Sequence, residues 1–304
     1  MVRGTEEGAG AEPGGRFSLK SLVPWQAKIA AKLVLSRLPV DYGFWRRLAL
    51  FQHGYMERPA YAYAVFRRHF DRARHTVGKS GFVAMEIGPG DSLFSAMIAR
   101  AHGAAKTYLV DVGSFAQDQL EPYQRMERFL REQGLPAPDI SCCRSVQEVL
   151  SACRGEYLTA GMTGLQAIRD RSVDFVWSQA VLEHIRRAEF FDFMREILRA
   201  LRENGICSHR VDLMDHLGGA LNNLRFSERV WESNFVATSG FYTNRIRYSE
   251  MLGLFRHAGF EVEVVRIDRW GRLPTRRGKL AEPFGSLPEE ELCVCGFEVL
   301  LRPA

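Results

Sequence analysis

The chain has 304 residues, of which 46% are hydrophobic and 25% are charged, a composition typical of folded globular proteins. It excludes a collagen-like or wholly disordered chain, and no apolar run approaches the roughly 18 residues needed to span a bilayer. The net charge of +5 arises in residues 1–80, which hold 14 basic and 6 acidic residues, whereas residues 81–304 hold 27 and 30. This length predicts about two domains, or one large α/β domain with additions.

The first 17 residues are rich in glycine and glutamate and contain no apolar segment of the kind found in secretory signals. They are predicted to form a disordered tail. Residues 18–80 are predicted to be a helical region that covers the substrate as a lid. Pro59 in this region is expected to begin a helix over about 60–70.

An apolar stripe at helical spacing, Trp25, Ile29 and Leu33, lies in the predicted lid. The stripe favours a packing face of that lid. Lys28 and Lys32 flank it, so a peripheral contact with a membrane surface stays open as an alternative.

Strands and helices alternate from residue 81 onwards. Strands are predicted at 82–87, 106–111, 156–159, 173–178, 206–213, 260–267 and 292–301. Helices are predicted at 92–101, 115–133, 181–202 and 248–258. Such alternation predicts an α/β fold with a mostly parallel sheet that is covered by helices on both faces. The last two strands have no helix between them and are expected to pair antiparallel.

The most informative motif is Glu86-Ile-Gly88-Pro89-Gly90, at the junction of the first strand and the following helix. Glycines there let the backbone turn sharply and approach a ligand closely. Asp111 ends the next strand, 21 residues after Gly90. A carboxylate at that place can accept hydrogen bonds from ribose hydroxyls. The motif therefore predicts a nucleoside-binding site at the carboxyl ends of the strands.

Two common nucleotide classes do not fit this motif. Leu93 occupies the position where a dinucleotide fingerprint has its third glycine. The Glu86 carboxylate would repel a pyrophosphate but could orient a cationic ligand. The chain also lacks the Gly-x-x-x-x-Gly-Lys-Ser/Thr motif of a P-loop.

Three segments together resemble the class I S-adenosylmethionine-dependent methyltransferases, in particular their small-molecule subfamily. These are the glycine motif, Tyr108-Leu-Val-Asp111, and the segment 173–185. The resemblance implies a Rossmann-like, seven-stranded, mostly parallel sheet with an antiparallel last strand, and a methyltransferase domain over 81–304 with an insertion at 217–247. It implies S-adenosylmethionine as the cofactor. The residues expected to bind it are Glu86, Gly88, Pro89, Gly90, Asp111, Ser178 and Gln179.

One departure from the family pattern affects the adenine side. The acidic residue common after the third strand has no match in the segment 160–163, which reads Ala-Gly-Met-Thr.

Two residues are candidates for a catalytic role. His184 follows the fourth strand and could deprotonate an acceptor; the alternative is a histidine that only packs and hydrogen-bonds there. Asp212 ends the fifth strand and could act as a base or orient the acceptor, or it could cap the loop. The segment 209–216 also contains His209, Asp215 and His216, but strand alternation divides these groups and no ligand spacing is present. No metal is therefore expected.

The insertion is expected to shape the acceptor pocket, because loops often carry specificity. Arg225, Arg245 and Arg247 could hold a carboxylate or phosphate of the acceptor, or they could be solvated surface residues. The predicted acceptor is a small molecule or a glycan- or lipid-linked intermediate.

Alternatives are an RNA or protein methyltransferase, suggested by the basic first 80 residues, and a non-catalytic membrane-associated protein of the same fold. The Asn/Asp-Pro-Pro-Tyr/Phe signature of many nucleic-acid methyltransferases is replaced by Ser178-Gln-Ala-Val, which argues against nucleic acid. The six cysteines show neither disulfide nor zinc spacing, which favours a cytoplasmic protein. The sequence leaves the oligomeric state open.

Overall fold

The computed structural model describes residues 55–78 and 80–304. The predicted disordered tail, the stripe of Trp25, Ile29 and Leu33, and the flanking Lys28 and Lys32 lie outside these residues. Of the predicted lid region, the structure describes only the part from Tyr55 onwards, without residue 79.

The strands in these ranges are β1 (Val83–Ile87), β2 (Lys106–Val110), β3 (Gly155–Leu158), β4 (Val173–Gln179), β5 (Leu201–Asp212), β6 (Phe260–Arg269) and β7 (Val294–Pro303). The helices are α1 (Pro59–Val77), α2 (Phe94–Ala101), α3 (Glu121–Glu132), α4 (Val146–Ala152), α5 (Met162–Gln166), α6 (Phe190–Ala200), α7 (Glu228–Trp231), α8 (Asn234–Ala237), α9 (Tyr248–His257) and α10 (Glu289–Leu292). Short 3₁₀ turns occur at Leu182–His184, Asn222–Arg225, Arg277–Lys279 and Phe284–Ser286.

The strands form one sheet in the order β3-β2-β1-β4-β5-β7-β6. Pairing is parallel from β3 to β5, whereas β7 runs antiparallel to both of its neighbours. This confirms the predicted Rossmann-like fold with an antiparallel last strand. The chain leaves β1 towards one edge of the sheet and returns to β4 on its other side, so the strand order reverses between β1 and β4. A crevice opens beyond the carboxyl ends of the strands at such a point.

Apolar cores cover both faces of the sheet because its central strands are buried on both sides. On one face Phe66 of α1 lies edge-on to Phe175 and Trp177 of β4, with ring centroids 6.3 and 6.0 Å away. On the other face α6 and α9 meet through Phe190 and Phe255, whose ring centroids are 5.9 Å apart.

Helix α1 belongs to the same core as the sheet. It begins at Pro59, as expected, and continues to Val77, beyond the predicted end near residue 70. Phe66 and Phe70 stack with centroids 5.4 Å apart and are buried beneath the helix. Arg72 of α1 also forms an ion pair with Glu298 of β7, whose side chain is buried. The division into a lid (18–80) and a methyltransferase domain (81–304) stays a prediction.

Several element boundaries differ from those predicted. The helix expected at 181–202 begins only at Phe190, after the 3₁₀ turn Leu182–His184. Strand β5 begins at Leu201 rather than at 206, with an irregularity where its pairing to β4 shifts between Val173 and Phe175. The short helix α4 was not predicted. The third strand, by contrast, lies within one residue of its predicted limits.

None of the helices in the described ranges combines the length and the apolar character that crossing a bilayer requires.

Replacing Phe66 by alanine should lower the free energy of unfolding by about 3–5 kcal/mol, because the change leaves a cavity between α1 and β4. Tyr61→Ala on the same helix, where the side chain is exposed, should change it by less than about 1 kcal/mol. Urea unfolding of the three proteins measures the difference. Equal stabilities for the two variants would show that α1 does not stabilise the sheet.

Candidate functional site

The glycine turn after β1 lies against the turn that follows β4. Gly88 and Gly90 adopt φ angles of +69° and +63°, which other residues rarely adopt. A Cβ atom at Gly88 would lie 2.6 Å from a methyl carbon of Val181. The Gly88 N–H donates to the carbonyl of Val110, at 2.8 Å. Pro89, between the two glycines, is buried. Only glycine fits at position 88, because both the conformation and the space exclude a side chain.

The Asp111 carboxylate lies beside the same turn. Its Oδ2 accepts a hydrogen bond from the Gly90 N–H at 3.0 Å, and its Oδ1 accepts one from the Val112 N–H at 2.7 Å. The Asp111 main chain is held by Leu158 and Gly161, each at 2.8 Å. The structure thus brings the glycine turn and the acidic end of β2 together, as the sequence motif requires.

Glu86 supplies a buried carboxyl group beneath this turn. The residue is 2% exposed, and its Oε2 has no hydrogen-bond partner among the described residues. Burial, with a further contribution from the Asp111 carboxylate, raises the pKa of Glu86 to about 8. Such a group is suited to a ligand that brings a positive charge or a hydrogen-bond donor.

Val112, directly after Asp111, is a further candidate that the sequence analysis did not include. Its side chain is 80% exposed although it is apolar and directly follows Asp111. A Cβ atom at Gly161 would lie 3.3 Å from its Cγ1, so the side chain lies over the turn after β3. The sequence did contain a signal for Val112, since an apolar residue directly follows Asp111 at the acidic end of β2.

Ser178 and Gln179 of β4 take part in two buried hydrogen-bond pairs. The Ser178 hydroxyl bonds Nδ1 of His209 at 2.7 Å, and Ser178 is fully buried. The Gln179 carbonyl accepts from Nε2 of His69 at 3.1 Å, while Nδ1 of His69 accepts from the Ser208 hydroxyl at 2.8 Å. A cofactor contact at Ser178 would therefore involve its main chain. The cofactor-binding role of both residues stays a prediction.

His184 lies in the 3₁₀ turn after β4, and the insertion fixes that turn. The Asn244 side chain donates to the carbonyls of Leu182 and Ile185, at 2.9 Å each. Nδ1 of His184 lies 2.8 Å from the carbonyl oxygen of Tyr242. Because a carbonyl oxygen only accepts, Nδ1 carries the proton and Nε2 keeps its lone pair. The exposed imidazole is thus held in one tautomer.

Asp212 lies next to a buried carboxyl group that the sequence analysis did not single out. Oε1 of Glu183 accepts from the Asp212 N–H at 3.3 Å, and Oδ1 of Asp212 accepts from the Met214 N–H at 2.8 Å. Asp212 therefore caps the loop, which was its alternative role. Burial raises the pKa of Asp212, and burial together with Asp212 raises the pKa of Glu183 well above its usual value.

Two arginines of the insertion are buried and have structural roles, so they are neither the solvated surface residues nor the acceptor-binding groups that were the two alternatives. Arg247 donates to the carbonyls of Leu213 and Val294, at 3.0 and 2.6 Å. Arg245 donates to the Phe226 carbonyl at 2.6 Å. Both side chains are buried, because their guanidinium groups replace water as donors to loop carbonyls.

The buried histidines predict acid sensitivity. Burial lowers the pKa of His69 to about 4 and that of His209 to about 3, from a usual 6.5. Between about pH 6.5 and 4 each of these two histidines therefore binds more protons in the unfolded chain than in the folded one. Their contribution to the free energy of unfolding should fall with decreasing pH there, by up to about 1.4 kcal/mol per pH unit for each histidine, whereas the raised pKa of Glu86 acts in the opposite direction.

Urea unfolding between pH 4 and 7 measures this slope. His69→Gln should reduce it, whereas His257→Gln, a change at an exposed histidine, should not. An unchanged slope in His69→Gln would contradict the assignment.

Comparison with known proteins gives one family and several solved structures. Residues 85–208 match the family model described as a methyltransferase domain. Similar structures include S-adenosylmethionine-dependent methyltransferases from Mesorhizobium loti and Archaeoglobus fulgidus. The first is 15% identical, with 77% of this chain and 97% of that one covered and a TM-score of 0.41. The second is 11% identical, with 86% and 99% covered and a TM-score of 0.44.

A further similar structure is a Haemonchus contortus phosphoethanolamine N-methyltransferase 2 in complex with phosphomonomethylethanolamine and S-adenosylhomocysteine. It is 14% identical, with 79% of this chain and 53% of that chain covered and a TM-score of 0.41. No curated protein gives a significant match.

The matched segment contains the end of β1, all of β2 to β4, the glycine turn and Asp111. These are the parts that carry the motifs found in the sequence. The chain therefore contains a methyltransferase domain over residues 85–208, the segment that holds the glycine turn and Asp111.

Proposed function

We propose that the acceptor of the methyl group is a small molecule or a glycan- or lipid-linked intermediate, bound over the carboxyl ends of β4 and β5. The observation that carries this proposal is the ordered insertion at 217–247. It has a small apolar core that includes Trp231, Phe241 and Tyr242. Through Asn244 and Tyr242 it contacts the turn that carries His184. A compact cover fixed to the turn beside the cofactor site supports a local pocket rather than an open surface.

The residues around the glycine turn fit S-adenosylmethionine. The orphaned Oε2 of Glu86 can accept from the cofactor's amino group, and Gly88 leaves open the space that a Cβ would fill. The Asp111 carboxylate lies beside the same turn, where a carboxylate can accept hydrogen bonds from ribose hydroxyls. Val112 presents an apolar surface for a flat base. When bound, the cofactor supplies a methyl group that its sulfonium makes electrophilic.

His184 and Asp212 are proposed to border the acceptor. No nucleophilic residue is required for a direct methyl transfer, so the main task of the protein is to align the acceptor atom. His184 can contribute through Nε2, whose lone pair is fixed by the Nδ1 contact with Tyr242. Asp212 lies at the end of the adjacent strand β5 and is partly buried.

The charge distribution favours a small acceptor over RNA. Residues 81–304 hold 27 basic and 30 acidic side chains. Arg187 and Arg210 pair with Glu250 and Asp268, and Arg247 is buried. A nucleic-acid surface would instead present unpaired basic side chains along a track. We place the reaction in the cytoplasm, a proposal supported by the six unpaired cysteines.

Extracts incubated with the protein and a cofactor that carries a deuterated methyl group test the proposal. Untargeted mass spectrometry should reveal a labelled small molecule or glycolipid that is missing with Asp111→Ala. Label found only in RNA or protein would overturn the proposed acceptor class.

The Asp111 carboxylate should control cofactor affinity. Asp111→Ala is expected to weaken S-adenosylhomocysteine binding about 100-fold, because two charge-assisted hydrogen bonds to the ribose are lost. Titration calorimetry measures the change. Asp192→Ala, at an exposed aspartate of α6, should leave the affinity within twofold. Wild-type affinity in Asp111→Ala would exclude the proposed ribose contact.

Glu86 should make cofactor affinity depend on pH. A ligand with a cationic amino group favours the carboxylate, so below the pKa of about 8 binding must displace a proton. Affinity for S-adenosylhomocysteine should therefore rise up to about tenfold per pH unit as the pH increases from 6 towards 8, and then level off. Glu86→Gln should abolish this rise, while the titration of the ligand itself is common to both proteins. Parallel profiles would refute the role of Glu86.

A further inference from the structure

We propose that His69 of α1 is a positioning residue for the cofactor site, because it holds the Gln179 side chain with its amide N–H groups directed to the cofactor's carboxylate. His69 lies outside the segment 85–208 that the family model matches, and Gln179 is the last residue of β4. The two residues are 110 positions apart in the chain, so no sequence motif joins them. The proposal rests on the cofactor site described under the proposed function.

His69 meets the sheet on the face to which Glu86 and Gln179 belong. Glu86 of β1 is the register partner of Trp177 in β4, and Trp177 is the register partner of Ser208 in β5. Side chains alternate along a strand, so Gln179 points to the same side as Trp177. The His69 ring covers this side, with its centroid 5.2 Å from that of Trp177. Helix α1 therefore reaches the strand ends on the face where the buried Glu86 carboxyl lies.

Two hydrogen bonds fix the His69 ring and, through it, the Gln179 carbonyl. Nδ1 of His69 accepts from the Ser208 hydroxyl at 2.8 Å, and Nε2 donates to Oε1 of Gln179 at 3.1 Å. His69 is fully buried, and burial lowers its pKa to about 4. The ring is therefore neutral at physiological pH and keeps one donor and one acceptor nitrogen.

The amide nitrogen of Gln179 is left for a ligand. It has no hydrogen-bond partner within residues 55–78 and 80–304, and the side chain is half-buried. A side-chain amide nitrogen offers two N–H donors. Ala180 follows with a φ angle of +55° and donates its N–H to the Arg210 carbonyl at 2.8 Å. The chain thus turns directly after Gln179, at the carboxyl end of β4.

A neutral donor on this face suits the amino-acid end of the cofactor, which carries an ammonium and a carboxylate on one carbon. In the proposed site the Glu86 carboxyl receives the amino group, so the carboxylate needs a donor nearby. A cation at that place would pair with Glu86 and compete with the ammonium, whereas an amide would not. Arg210, the register partner of Gln179, is paired with Asp268 at 2.8 Å. The Gln179 amide is therefore the donor that this face offers.

The contribution of His69 to binding is the ordering of Gln179 before the ligand arrives. A free glutamine side chain loses rotamer freedom when it binds, and this loss opposes association. A side chain that is already held by His69 does not incur that cost.

Calorimetric titration of the full chain with S-adenosylhomocysteine tests the role of His69. Gln179→Ala should weaken binding about tenfold, because the donors to the carboxylate are lost. His69→Leu should weaken it about fivefold, since Gln179 must then be ordered on binding. His69→Gln should stay within about twofold of the wild type, because the new amide can donate to Gln179 in place of Nε2. The double variant His69→Leu/Gln179→Ala should bind as Gln179→Ala does, because His69 acts through Gln179.

Arg72→Ala is the matched control. It removes a different contact between α1 and the sheet, the ion pair with Glu298, and should leave the affinity within about twofold of the wild type. Urea unfolding of each variant shows that the protein is folded during the titration.

Three outcomes would overturn the positioning role while the cofactor site stands. These are unchanged affinity in Gln179→Ala, equal losses in Arg72→Ala and His69→Leu, and a double variant weakened by the product of the two single effects. The first outcome overturns the proposal even if His69→Leu does not fold. Failure of the wild type to bind S-adenosylhomocysteine would instead refute the proposed cofactor site, and the role of His69 with it.

Discussion

The hydrogen bond from the Gly90 N–H to the Asp111 carboxylate joins the two parts on which the cofactor site depends. It ties the turn after β1 to the end of β2. On the other side, Gly88 brings the same turn against Val181 after β4. The turn is thus held from both sides of the crevice where the strand order reverses. A ligand in that crevice meets a backbone whose conformation is set by its neighbours, and pre-organisation of this kind reduces the cost of binding.

The acidic side chains near the carboxyl ends of the strands are also arranged by the strand geometry. Glu86 lies inside the sheet and Asp111 at its edge, so one carboxyl group is buried and the other remains accessible at the strand end. A similar relation recurs at the next pair of strands, where Glu183 is buried and Asp212 is partly accessible. Each buried group has one oxygen without a partner in the part of the chain that the structure describes. The carboxyl edge of the sheet therefore carries two places where a positive charge would be stabilised.

The strands and the glycine turn could be predicted from the sequence because their signals are local. A run of apolar residues followed by Gly88-Pro89-Gly90 indicates a strand and a turn without knowledge of the rest of the chain. The start of α6 could not be predicted, since Asn244 holds the turn before it from more than fifty residues away. The burial of Arg245 and Arg247 could not be predicted either, because their carbonyl partners become neighbours only after folding. Glu183 was missed for the same reason, because its partner Asp212 is 29 residues away in the chain.

The hydrogen bonds of Asn244 and Tyr242 give the insertion two tasks at once. The segment that we propose to wall the acceptor side also sets the orientation of the His184 ring. The shape of the proposed acceptor pocket and the orientation of the His184 imidazole are therefore linked through the same hydrogen bonds. Grafting this loop from a relative with a different acceptor would alter both properties together. Engineering of substrate range in this enzyme therefore has to preserve the Asn244 and Tyr242 anchors while the remainder of the loop is varied.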